Sequence, residues 1–235
     1  MAPASSRPSA VAVLEVGRTD VKLVAVGPDG TIRSSRQAPN ALRTGEPYPH
    51  CDTEHLWRWL MAALADLGER FLIEAILPTS YGASAALVGE ADLVLPIMDY
   101  EAEPPAAIAA GYAEVAPWFE ECCCAIGPAG TTLGRQLFWQ SRRFPEAFAR
   151  TRWILPWPQY WAWGLSGVPA CEASALGAQT QLWNPRERDF SSLVEREGWR
   201  EKLPPLRNAW LISPKINGQP PYRIVPIRRE YIPLP

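Results

Sequence analysis

The sequence has no apolar run of about 18 residues, so no helical membrane span is expected. Its first residues, MAPASSRPSA, lack a basic segment leading into an apolar one, so no secretory signal is visible and a short disordered lead-in over residues 1–9 is expected. An excess of one charge is also missing. With 23 basic and 25 acidic residues the formal net charge is −2, which argues against a nucleic-acid or anionic-membrane partner. Histidine is scarce: His50 and His55 are isolated and match no catalytic pattern, so capping or surface roles are expected of them. The five cysteines are an odd number, and Cys122, Cys123 and Cys124 are adjacent without the spacing of a metal site. Free thiols in a reducing, cytoplasmic compartment follow as the expectation. No internal repeat is present.

What the chain does have is proline and tryptophan, 25 and 11 residues, in 235 that are 47% apolar and 20% charged. That is the composition of a folded protein of one large or two small domains. Flat apolar side chains in such number fill cores, and they also wall polyol and sugar pockets.

The most informative stretch is Val11 to Ile32, VAVLEVGRTDVKLVAVGPDGTI. Two apolar runs flank Gly17-Arg18-Thr19-Asp20, and Gly27-Pro28-Asp29-Gly30 follows the second. The pattern predicts strand, turn, strand, turn, strand. A glycine turn lets the backbone approach a ligand, and its N–H groups can meet a phosphate. Residues 33–52 read as a polar connection. Asp52 offers a helix cap before Leu56, Trp59, Leu60, Ala63, Leu64 and Leu67, with Gly68 at the expected end. Phe71 to Leu77 reads as a strand entering Pro78 to Ser84, and Ala85–Val88 with Leu93–Ile97 as a strand pair. Helices are expected over 133–143, from Pro145, and over 158–165, with a short strand at Trp153-Ile154-Leu155. Ala173 to Leu182 suits a strand or loop lining a site, Asp189 is read as the cap of a last helix over 190–197, and a proline-rich tail follows.

Four stretches then carry a resemblance. They are LEVGRTDVKLVAVGPDG, LPTSYGASAALV at 77–88, LGRQLFWQSRRFPEAFARTRWILPWPQYWAWGLSG at 133–167, and SALGAQTQLWNPRERDFSSLVEREG at 174–198. In order and spacing they resemble the N-terminal domain of the FGGY carbohydrate kinases, of the hexokinase–actin-like superfamily. GRTD and LWNP lean towards the rhamnulokinase- and fuculokinase-like end. The resemblance covers about residues 10–206 and leaves 207–235 as a divergent tail.

It implies an α/β, ribonuclease-H-like domain with a mixed central sheet and helices on both faces. It implies ATP-dependent phosphorylation of a sugar or polyol hydroxyl, with Mg²⁺. Gly17, Arg18, Thr19 and Lys22 would face nucleotide phosphates, and Glu15 would hold the metal through water. Tyr81, Gly82, Ala83, Gln159, Tyr160, Gln179 and Thr180 would hold the sugar. For the aromatics of 157–163, packing of a short helix is the competing reading. Glu15 stands where the family usually has Asp, and Tyr81 and Gln179 stand where related sequences often have His. Family members are about twice as long, so no catalytic base is expected in this chain. The base and adenosine site would lie in a C-terminal kinase domain, which is a partner if it is encoded separately. A homodimer is compatible with the resemblance, and the alternative is a non-catalytic sugar-binding or interaction module.

Overall fold

Alternation decides the first two strands. β1 (Ser9–Val16) and β2 (Asp20–Val26) bury every second residue, Ala10, Ala12, Leu14 and Val16 on one and Val21, Leu23 and Ala25 on the other. That is what a strand with one covered face requires. A computed structural model of the chain describes residues 7–40, 42–90 and 92–207. Of the lead-in expected over 1–9, residues 1–6 lie outside the described residues and Ser9 already belongs to β1; the tail beyond 207 also lies outside them.

After β2 come β3 (Ile32–Pro39) and two short strands, β4 (Leu42–Arg43) and β5 (His50–Cys51). Next are α1 (Thr53–Arg70), β6 (Leu72–Ser80), β7 (Ala85–Val88), α2 (Ala106–Val115), α3 (Phe119–Cys122), α4 (Leu133–Arg143) and α5 (Pro145–Ala149). The rest is β8 (Trp153–Pro156), α6 (Trp157–Ser166), α7 (Ala173–Gly177), β9 (Trp183–Asn184), β10 (Asp189–Phe190), α8 (Ser192–Arg196) and a 3-10 turn at Arg200–Lys202.

The main sheet has the order β3-β2-β1-β6. The first three strands are antiparallel and β6 lies parallel to β1, joined to the hairpins through α1. This is the mixed α/β arrangement expected. α1 lays Leu56, Leu60, Ala63 and Leu67 on the Ala12–Leu14 face. Asp52 caps it, accepting from the His55 amide at 3.1 Å. α6 runs beside β6: Trp161 and Leu165 reach that same core, while Ala162 packs with Ala170 and Leu77.

A second core gathers α2, α4 and α8 around Tyr112, Leu137 and Leu193. Between the cores lies the antiparallel pair β7–β8. Ala86, Val88 and Leu155 serve the first core, and Ala85, Leu87 and Ile154 the second.

Several expectations need correction. The supposed connection at 33–52 begins with β3, an edge strand exposed on both faces, so no alternation marks it. α1 runs through Gly68 to Arg70. Leu93–Ile97 does not form a continuous strand: Leu93 makes an isolated bridge to Val88, while β7 pairs along its length with β8. Within 173–182 the chain makes the short helix α7, its first amides bound by the Glu172 carboxylate. Asp189 caps no helix. It lies in β10 opposite Asn184 and pairs with Arg200 at 3.0 Å, and α8 starts after Ser191.

Candidate functional site

The turn between β1 and β2 is held from below. The Gly17 amide donates to the Asp20 carbonyl at 2.9 Å. A Cβ at Gly17 would lie 3.0 Å from that carbonyl, so the close approach favours glycine. From the end of β3, the Asn40 side chain donates to the Gly17 carbonyl at 2.7 Å, and its backbone amide to the Thr19 carbonyl at 2.9 Å. Among the described residues the amides of Arg18 and Thr19 have no protein acceptor, and Thr19 is exposed. Two open N–H groups and a hydroxyl therefore crown the turn, a set that fits phosphate oxygens.

Glu15 lies opposite Lys22 in the register of β1 and β2, and opposite Thr79 of β6. Lys22 Nζ stands 3.2 Å from Asp20 Oδ2 and 3.8 Å from Glu15 Oε2. The Glu15 side chain is 53% exposed, so its carboxylate keeps oxygens free for a hydrated cation. No group of three or more His, Cys, Asp or Glu side chains among the described residues is arranged to hold a metal.

The Arg18 side chain is held by carboxylates. Its Nε and NH2 bind the two Asp99 oxygens at 3.1 and 3.0 Å, and NH2 also lies 2.8 Å from Glu101. The hydrogen bond to Asp99 raises its pKa further. The guanidinium sits 5.8 Å from the Tyr100 ring centroid, and Tyr100 meets Tyr81 edge to face at 4.9 Å. The phosphate-type turn and the turn at Tyr81 are thus linked through Arg18, Asp99 and Tyr100. Sequence reasoning missed Asp99, Tyr100 and Glu101. The available signal was an acid-aromatic-acid triplet directly after the apolar run ending at Met98.

The Tyr81 hydroxyl lies 3.7 Å from Cys51 Sγ, and burial pushes both groups up, Cys51 to about 11. Gly82 abuts the Ala178 carbonyl, which a Cβ would approach to 3.3 Å. The Ala83 carbonyl accepts from Gln136, whose amide nitrogen also reaches the Gly130 carbonyl. Gln179 is exposed and sits in the left-handed region, at φ 56°. Its carbonyl and that of Thr180 accept from the Leu133 and Gly134 amides, closing the N-terminus of α4. Gln159 is half-buried, and its Oε1 has no partner among the described residues.

Two residues read as sugar contacts are buried and bonded within the protein. Tyr160 is 5% exposed, accepts from Trp57 Nε1 at 2.9 Å and stacks on Trp157 at 5.6 Å, so the packing reading holds for it. Thr180 is fully buried, and its hydroxyl binds the Leu176 carbonyl and the Leu182 amide. It braces the loop from behind, leaving Gln179 as that loop's exposed polar side chain.

No protein-family model matches the chain, and no curated protein matches it in sequence. Solved structures do. A carbohydrate kinase from Novosphingobium aromaticivorans superposes with a TM-score of 0.82 at 29% identity, over 87% of this chain and 43% of that one. A ligand-bound xylulose kinase from Lactobacillus acidophilus gives 0.78 at 14% identity, over 92% and 48%. A gluconate kinase from the same organism gives 0.74 at 16%, over 95% and 45%. The fold is that of the sugar kinases of the actin-like ATPase class. The chain spans slightly less than half the length of these structures.

Proposed function

We propose that this chain is the sugar-binding part of an FGGY carbohydrate kinase, towards its rhamnulokinase- and fuculokinase-like end. The reaction is ATP-dependent phosphorylation of a sugar or polyol hydroxyl. Mg²⁺–ATP supplies the phosphoryl group and offsets its charge. Thr19 and the amides of Arg18 and Thr19 would meet phosphate oxygens, and Glu15 would hold the metal through water. Lys22, shared with Asp20 and Glu15, would keep that carboxylate oriented. Tyr81, Gly82, Ala83, Gln159 and Gln179 would line the sugar side. The catalytic base and adenosine site are expected outside these 235 residues, so the isolated chain should bind without turnover.

The observation that carries this reading is the link from turn to turn: Arg18 on Asp99, and Tyr100 on Tyr81. The contact supports reading the two turns as neighbours in one site. Phosphoryl transfer needs that proximity, since the protein's main task is positioning.

Tryptophan fluorescence and a fluorescent ATP analogue test it. Polyols or sugars should quench the tryptophans, and Mg–nucleotide should bind in the wild type and not in Glu15→Ala. Nucleotide binding unchanged by that substitution would remove the turn from the reading. Sugar-dependent ATP consumption by the chain alone would place the base within it.

A further inference from the structure

β3 is exposed along nearly all of its length. The residue that follows it is different. Asn40 is 7% exposed and meets the turn between β1 and β2 with two donors. Its side-chain Nδ2 donates to the Gly17 carbonyl at 2.7 Å, and its backbone N–H to the Thr19 carbonyl at 2.9 Å. Gln37, on β3 itself, donates to the Asp20 carboxylate. The other end of the Asn40 amide gains nothing: Oδ1 is buried with no partner among the described residues. A buried acceptor left unpaired is costly, so stability alone accounts poorly for this side chain.

What the side-chain bond does follows from the geometry of a peptide. The Gly17 carbonyl and the Arg18 N–H belong to one planar trans unit and point in opposite directions. Binding the carbonyl from the Asn40 side therefore aims the Arg18 N–H to the other side, and that N–H has no protein acceptor among the described residues. Released from Asn40, the unit is free to turn over, because glycine leaves its own side of the peptide unrestricted. A turned unit would offer a carbonyl oxygen to an anion where an N–H now stands. The Thr19 carbonyl is kept from turning in the same way, by the Asn40 backbone N–H.

We propose that Asn40 is a positioning residue, which locks the Gly17–Arg18 peptide so that the Arg18 N–H stays aimed at a phosphate oxygen of the nucleotide. This rests on the sugar-kinase reading of the turn. The effect passes through the backbone. It requires no ligand contact from the Asn40 side chain, nor from the Arg18 guanidinium, which Asp99 and Glu101 hold.

The test is a titration of the full chain, isotope-labelled at the arginine and threonine backbone nitrogens, with Mg–ADP and separately with the polyol glucitol. Amide signals and tryptophan fluorescence are read together. In the wild type the Arg18 amide signal should move downfield as Mg–ADP binds. Asn40→Ala should weaken Mg–ADP about tenfold, the scale of one hydrogen bond, and abolish the Arg18 shift at saturation, with glucitol affinity unchanged. Asn40→Ser keeps a donor on a shorter side chain. It should regain part of the affinity and of the shift, and it guards against an Ala variant that does not fold. An Arg18 amide that stays in place while the wild type binds Mg–ADP overturns the lock and leaves the kinase reading standing. Affinity and shift unchanged in Asn40→Ala overturn it as well. Equal losses of Mg–ADP and glucitol, or loss of the fold in both variants, make Asn40 a purely structural residue and overturn the positioning role. If the wild type binds no Mg–ADP, the phosphate reading of the turn falls, and this inference with it.

Discussion

At the scale of single residues, the buried thiols set a pH limit on the fold. Cys51 and Cys171 are 3% and 0% exposed, and burial lifts them from an ordinary 9.0 to about 11 and about 12. A thiol whose pKa is raised by folding favours the native state while it stays protonated. That contribution is complete below pH 9, the unfolded value, and is lost as pH climbs towards the folded value. Stability should therefore fall between pH 9 and pH 10 by up to about 1.4 kcal/mol per pH unit for each thiol. Urea midpoints at pH 8, 9 and 10 check this, and Cys51→Ala with Cys171→Ala should flatten the slope. An equal slope in the double variant would remove the thiols as its cause. The sequence shows five cysteines and predicts free thiols, which they are. It does not show which are buried, because burial of Cys51 depends on Ile97 and Tyr81, far along the chain. Arg18 is similar. Its position in a glycine turn suggested phosphate, and only the return of Asp99 from a different segment shows that carboxylates hold it.

At the scale of elements, local signals are legible in the sequence and non-local ones are not. α4 spans 133–143 as expected, since its apolar face is legible within one turn-by-turn pattern, and α5, β8 and α6 fall where their prolines and aromatics place them. β3 carries no alternation because both its faces are wet. The expected neighbour of β7 contributes only the Leu93 bridge, and its main partner β8 lies far downstream, a distance nothing local encodes. Glycines separate the two kinds of information. Gly68, read as a helix end, lies inside α1, and a Cβ there meets nothing within 4 Å. Gly134 lies inside α4, where a Cβ would come 2.6 Å from the Tyr112 hydroxyl and 3.0 Å from the Thr180 carbonyl. Gly68→Ala should stabilise the protein by up to about 1 kcal/mol through helix propensity. Gly134→Ala should destabilise by about 1–3 kcal/mol, as overpacking does, and loosen the loop at Gln179. Thermal melts of the two variants decide it, and shifts of the same sign would contradict this account of the α4 cap.

At the scale of the whole molecule, the question is whether two cores make one folding unit. The chain spans less than half of the kinases it superposes on, and its two cores raise the possibility of a piecemeal melt. The β7–β8 pair argues otherwise. Its residues alternate between the cores, so neither core can be lost without exposing the other's side of the same strands. Further ties run between distant segments: the Cys171 amide donates to the Pro205 carbonyl, and Lys202 Nζ donates to the carbonyls of Ala149 and Thr151. Unfolding should accordingly be a single transition, with far-UV dichroism and tryptophan fluorescence coincident. Leu155→Ala, in the first core, and Leu87→Ala, in the second, should each cost about 2–5 kcal/mol and move that one transition. Two phases, with each substitution shifting only its own, would show that the strand pair is a seam between independent halves.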